Sequence, residues 1–174
     1  LNFVKTNLFT LCNPTTKKHR YIVKPENWSP NPKQNIGLAY NDRSSTSMIS
    51  NNHCQLVFVY KMRNPLRGIT EIYGFRTFSS NANAWRRVDS GLVCQSGEFV
   101  KHGQAVYFNE SLHWMRKSGD VIVFHTKENK PRIMRKSHLL GEFKDDMWFG
   151  VTNGSINIVH VTKTEVVIVA LHDY

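Results

Sequence analysis

The stretch Phe78-Ser79-Ser80-Asn81-Ala82-Asn83-Ala84-Trp85-Arg86-Arg87-Val88 decides the reading of the fold, because its pattern occurs three times in the chain. An apolar anchor is followed by mostly polar turn residues, then by an Arg eight positions on and an apolar residue two further. Cys12, Arg20 and Ile22 form the first copy, Phe78, Arg86 and Val88 the second, and Phe124, Arg132 and Met134 the third. Each copy reads as a β-hairpin: a strand ends, turn residues reverse the chain, and a second strand starts on the Arg. The second and third anchors are 46 residues apart, near the length of one four-stranded propeller blade. The first interval, 66 residues, must hold an insertion or another element.

Outward from these hairpins the chain is punctuated into short apolar runs. Ile36 to Tyr40, Gln55 to Tyr60 and Thr70 to Phe78 read as strands, separated by a Pro-broken loop, a serine-rich polar stretch and the Pro65–Gly68 break. Ala105 to Phe108, Leu112 to Met115 and Val121 to Phe124 follow as compact runs. Trp148 to Val151 and Ile156 to Val161 are joined by Asn153-Gly154, a pair suited to a two-residue turn with positive φ at both positions. Glu165 to Leu171 is a further strand, and Ser137 to Asp146 alone offers a weak helical pattern. Many short strands at close spacing imply an all-β fold. The repeat favours a propeller-like series of antiparallel blades, incomplete at this length, with a β-sandwich as the alternative.

Composition narrows the function. The 174 residues, 40% apolar, suffice for one β domain with a core, expected to span residues 1–174 as part of a longer parent chain. No run approaches the length needed to cross a bilayer as a helix, and no membrane partner is expected. Cys12, Cys54 and Cys94 are widely spaced and odd in number, which reads as buried, reduced thiols in a cytoplasmic or nuclear protein. The sequons Asn27-Trp28-Ser29, Asn109-Glu110-Ser111 and Asn153-Gly154-Ser155 are explained equally well by turn chemistry. A formal charge of +10 favours acidic partners without identifying one.

A family resemblance spans residues 8 to 171. Phe78 to Val88 resembles the "Y-S-S-x-T-x-x-W-R-x-I" segment of the plant F-box-associated domain, and Ala105 to Trp114 its "V-Y-F-N-G-x-L-H-W". Leu11 to Lys18 resembles the "N-P-x-T" opening, Asn35 to Tyr40 the "G-L-A-Y/F" strand, His53 to Tyr60 the strand after it, and Val121 to Phe124 the "I-x-x-F-D" strand. Asn109-Glu110 replaces the family's Asn-Gly, which implies a different turn type, and His125 stands where an Asp is expected. The resemblance implies a non-catalytic adaptor. An F-box, missing from this stretch, would dock on the Skp linker of a cullin-RING ubiquitin ligase, while the β domain holds a target protein for ubiquitination.

Tested for chemistry, the chain is bland. His113 sits beside Leu112 and Trp114 in an alternating strand with no triad or metal-ligand spacing around it, so a structural role is expected, and no cofactor or metal is. Trp85 and Trp114 are expected to be buried packing residues at strand starts, with Arg86 projecting to the outer rim or across to a neighbouring strand. Partner contact is expected on the loops, through Lys33, Arg43, Arg63 and Arg67. The alternative is a basic nucleic-acid-binding domain, for which Tyr73, Phe75, Arg76 and Phe78 interleave aromatic and basic groups. Alternation places Tyr73 and Phe75 on one face, as in a half-buried strand. A propeller enzyme or glycan binder would need a convergent polar pocket or a metal.

Overall fold

The computed structural model describes residues 7–26, 28, 35–41, 53–62, 70–100, 104–135, 147–161 and 163–171, and every regular element among them is a β-strand. The segments holding Lys33, Arg43, Arg63, Arg67 and Ser137 to Asp146 lie outside the described residues. Two compact units occur, Leu1–Pro30 and Asn31–Tyr174. In the first, β1 (Leu8–Cys12) and β2 (His19–Val23) form an antiparallel hairpin. The Phe9 ring meets Trp28 edge-on at 4.8 Å and carries the Lys24 ammonium 5.4 Å above its centroid.

The described residues of the second unit form three antiparallel sheets, none of them closed. β3 (Asn35–Asn41), β4 (His53–Met62), β5 (Thr70–Ser79) and β6 (Ala84–Arg87) run as a meander, and β7 (Leu92–Gln95) returns to pair with the start of β5. β8 (Val106–Phe108), β9 (Ser111–Met115), β10 (Val121–His125) and β11 (Lys130–Met134) form a second four-stranded meander. β12 (Met147–Thr152), β13 (Ser155–Val161) and β14 (Val166–Leu171) form a third sheet of three strands.

The three repeated segments are hairpins of one register. Each anchor pairs with the residue seven positions on: Cys12 with His19, Phe78 with Trp85, Phe124 with Pro131. Five positions after each anchor the backbone turns left-handed, at Lys17 (φ 55°), Asn83 (φ 50°) and Asn129 (φ 53°). Asn tolerates that region better than most residues, which accounts for it in two of the copies. Arg20, Arg86 and Arg132 are all exposed. Two details differ from the sequence reading. The return strands begin before the Arg, at His19, Ala84 and Lys130, because the ladder continues past the anchor to the turn. Cys12 is exposed where Phe78 and Phe124 are buried, since β1 alternates between exposed and half-buried residues with no fully buried face.

Asn109-Glu110 keeps the two-residue turn despite lacking Gly: φ is 43° and 58°, matching 51° and 70° at Asn153-Gly154. The expected change of turn type does not occur. A neighbouring turn holds Glu110 in place. Its carbonyl accepts the Thr126 N–H at 2.9 Å and the Thr126 hydroxyl at 2.7 Å, and its carboxylate pairs with Lys127.

Pairing fixes which side chains share a face. Ala39, Val57, Val59, Tyr73 and Phe75 of the first meander pack against Leu112, Trp114, Ile122 and Phe124 of the second, with Phe75 stacked on Phe124 at 5.3 Å. The anchors Phe78 and Phe124 are equivalent by repeat, yet only Phe124 lies in this junction; Phe78 is on the opposite face of its strand from Phe75. The sheets therefore meet front to back, in the sense of successive blades. Met115, on the other face of β9 from Trp114, meets Ile158 and the partly buried Met147, Phe149, Val169 and Leu171 of the third sheet.

Close approach at the first junction depends on a glycine. A Cβ on Gly37 would lie 2.7 Å from Ala105 Cβ and 2.8 Å from Trp114 Cζ2. β5 is not half-buried as alternation suggested. Leu56, Phe58 and Phe78 are buried as well as Tyr73 and Phe75, so β4 and β5 are apolar on both faces. Beside this core runs a polar network. Burial alone would raise the Glu71 carboxyl, but hydrogen bonds from Lys61, Tyr73 and Ser96 outweigh it and bring it down to about 2. Arg116, fully buried, donates to the Gln95 carbonyl and lies 5.8 Å over the Tyr73 ring.

Candidate functional site

The face that forms the apolar junction turns polar at the start of β4 and the end of β5. There Gln55, Thr77, Ser79 and Arg86 continue the rows begun by Val57 and Phe75, because Gln55 pairs with Ser79 and Thr77 with Arg86. Opposite them stand Tyr107 and the turn residues Thr126, Lys127 and Asn129, and Asn81 and Ala82 also line the site. Together with Ala39, His53 and Ala84 they enclose an open cleft of about 390 Å³. The turns of the second and third hairpin copies thus converge on a single site.

Local contacts hold the walls. Ser79 Oγ lies 3.1 Å from His53 Nε2 and accepts the Ala82 N–H at 3.5 Å, which ties the first turn to the strand beside it. Gln55 Nε2 donates to Asn129 Oδ1 at 3.3 Å, a bond that bridges the two meanders across the cleft. Trp85 packs on Phe78 at 5.5 Å, so alternation turns Arg86 to the opposite face, into the cleft wall. Among the described residues, the Arg and Lys side chains of the lining are Arg86 and Lys127, and no carboxylate lines it. His53 and Ser79 have the distance of a base and nucleophile, but no lining carboxylate orients the imidazole and Ser79 already caps a turn. The arrangement is equipped to bind.

Of Trp85, Arg86, His113 and Trp114, the candidate site residues that are described, Arg86 lines the cleft. Trp114 and His113 are fully buried, Trp114 in the junction and His113 on the other face of β9, and Trp85 is half-buried behind the cleft wall. Burial, reinforced by the field of Arg132, lowers the His113 imidazole to about 4, although a bond to the Val106 carbonyl opposes the shift. Sequence reasoning passed over Thr126, Lys127 and Asn129 as binding groups. The repeat carried the available signal, since these residues occupy the same turn as Ser80 to Asn83. Among the described residues no group of His, Cys, Asp or Glu side chains is placed to hold a metal.

No family model matches the chain. An Arabidopsis thaliana protein named as an F-box/kelch-repeat protein is 25% identical over 136 residues, which cover 74% of this chain and 28% of that protein. The chain resembles plant F-box proteins. A second Arabidopsis protein, named as an F-box protein, is 25% identical over 63 residues, 36% of this chain and 15% of its own length. The chain thus matches about a quarter or less of the length of these curated relatives. Among solved structures, the complex of the fission yeast SREBP–SCAP binding domains aligns over 97% of this chain and 49% of that one, with 13% identity and a TM-score of 0.39, a likeness on which nothing is built.

Proposed function

We propose that this chain is the target-recognition β domain of an F-box protein and presents a target to a Skp–cullin–F-box ubiquitin ligase without catalysing the transfer itself. The observation that carries the reading is the match to an F-box/kelch-repeat protein over 74% of the chain. The cleft agrees with it: amide, hydroxyl and cationic groups on paired turns of a rigid core suit recognition of a protein surface. We propose Lys33, Arg43, Arg63 and Arg67, on sequence grounds, as further target contacts, and a cytoplasmic or nuclear setting. The Skp linker and cullin are reached only through an F-box.

Affinity capture with the chain alone and with an F-box joined to it tests the division of labour. Skp should be recovered only with the F-box, and ubiquitin should then reach the captured target. Skp bound by the chain alone would refute the proposal. The nucleic-acid alternative loses its stacking platform, because Tyr73 and Phe75 are fully buried. Salt-sensitive binding of single-stranded nucleic acid with no protein partner would restore it.

A further inference from the structure

We infer that the cleft between the second and third hairpin turns recognises an anionic side chain, a carboxylate or a phosphate ester, carried on an extended peptide segment of the target, with Arg86 as the specificity-determining residue. The inference rests on the target-recognition reading and names what that surface takes.

Four observations converge on it. Among the described residues the lining contains Arg86 and Lys127 and no carboxylate, within a chain of net charge +10. Lys127 is already paired with Glu110, whereas the Arg86 side chain is exposed and makes no hydrogen bond or ion pair with any described residue. Its planar guanidinium therefore keeps its donor fork for a carboxylate or phosphate, which it can hold through two parallel bonds. Finally, the surrounding groups suit a peptide carrier. Asn129 accepts from Gln55 through Oδ1, which leaves its Nδ2 donors for the ligand, and Asn81 also lines the cleft. Side-chain amides at these places can bond a peptide backbone while the guanidinium reads the acid. A volume of about 390 Å³ accommodates a side chain with its flanking backbone, within the usual range for ligand clefts.

The position of Arg86 is inherited from the repeat, but its setting is unique among the three copies described. Arg20 lies in the separate first unit, and Arg132 lies on the strand face turned away from the first junction, opposite Pro131 and Ile133 in alternation. The same motif position thus meets a facing turn only at Arg86. This is why a binding role falls to one copy of an otherwise shared residue.

The test is a titration of the isotope-labelled 174-residue chain, followed by NMR. The probes are a hexaglutamate peptide, a hexa-alanine peptide with one phosphoserine, hexaglutamine and inorganic phosphate. Saturable shifts of Arg86, Asn81, Thr126 and Asn129 are expected with the two anionic peptides and none with hexaglutamine. Inorganic phosphate should bind at least about tenfold more weakly, lacking the backbone contacts. Arg86→Gln should weaken both anionic peptides about tenfold or more, while Arg87→Gln, an equal charge loss on the opposite strand face, should leave them unchanged. The two anionic peptides distinguish carboxylate from phosphate as the preferred group. Absence of saturable shifts at the cleft, an equal response to hexaglutamine or to free phosphate, or unchanged binding by Arg86→Gln would overturn the inference. So would shifts spread evenly over Lys17, Lys18, Arg132 and Arg135. In F-box-joined chain, targets still ubiquitinated with Arg86→Gln would refute the cleft's role and leave the adaptor reading standing. Peptide binding at the cleft without any ubiquitin transfer would do the reverse.

Discussion

Acidification should weaken the fold through His113. The ring is fully buried on the face of β9 that also carries Met115, and its folded value, about 4, lies below the 6.5 of an unburied imidazole. The unfolded chain therefore takes up the proton first. The stabilisation is complete above the unfolded value and is lost as pH falls toward the folded one. From these two values the loss between about pH 7.5 and about pH 4.5 is on the order of 2 to 3 kcal/mol, a large fraction of the stability of an ordinary domain. Glu71, brought down to about 2, gives up its contribution only at lower pH, so the two windows separate. Urea unfolding at several pH values, with wild type and His113→Leu in parallel, measures the effect. The variant loses the bond to the Val106 carbonyl and should start about 1 to 3 kcal/mol lower, yet its stability should change far less over this window. Equal pH slopes in the two proteins would refute the argument, whatever their absolute stabilities.

Other substitutions probe the packing. Gly37→Ala should cost about 1 to 3 kcal/mol in denaturant unfolding, because the added methyl meets Ala105 and the Trp114 ring under 3 Å away. Trp114→Ala should cost about 3 to 5 kcal/mol and Trp85→Ala clearly less, since the second ring is only half-buried. Glu110→Gly relieves a left-handed residue worth about 1 kcal/mol and removes an exposed ion pair worth about 0 to 1 kcal/mol. Its melting temperature relative to wild type should therefore rise as salt screens the pair away, and a salt-independent difference would count against this account.

The hairpins were legible because turn chemistry is local. Asn and Gly at the tips, with β-branched or aromatic residues on either side, specify reversal within a few residues of chain. β7 was not, since Leu92 to Gln95 is short and its pairing with Thr70 to Tyr73 spans a distant stretch. The burial of β5 on both faces escaped alternation for a related reason: Phe78 and Phe58 face away from the junction, and period-two reasoning says which residues share a face, not whether something covers it. At the cleft, Arg86 stood out by repetition, while Lys127 and Asn129 acquire a role only when packing brings a second turn across from the first. Two motifs read separately, the glycine of Gly37-Leu38-Ala39-Tyr40 and the tryptophan of Leu112-His113-Trp114, prove to be the two sides of one contact.

That contact joins residues 77 positions apart, whereas each four-stranded meander is built from strands adjacent in sequence. The difference has a kinetic consequence. Turns such as Asn81 to Asn83 and Glu128-Asn129 close short loops and can form early, but the Gly37–Trp114 junction must wait until two assembled sheets dock. Changes in the turns should then register mainly as slower folding, and changes at the junction mainly as faster unfolding. The lifetime of the cleft would thus be governed by the undocking of its two sheets, with each hairpin outlasting the surface it helps to build.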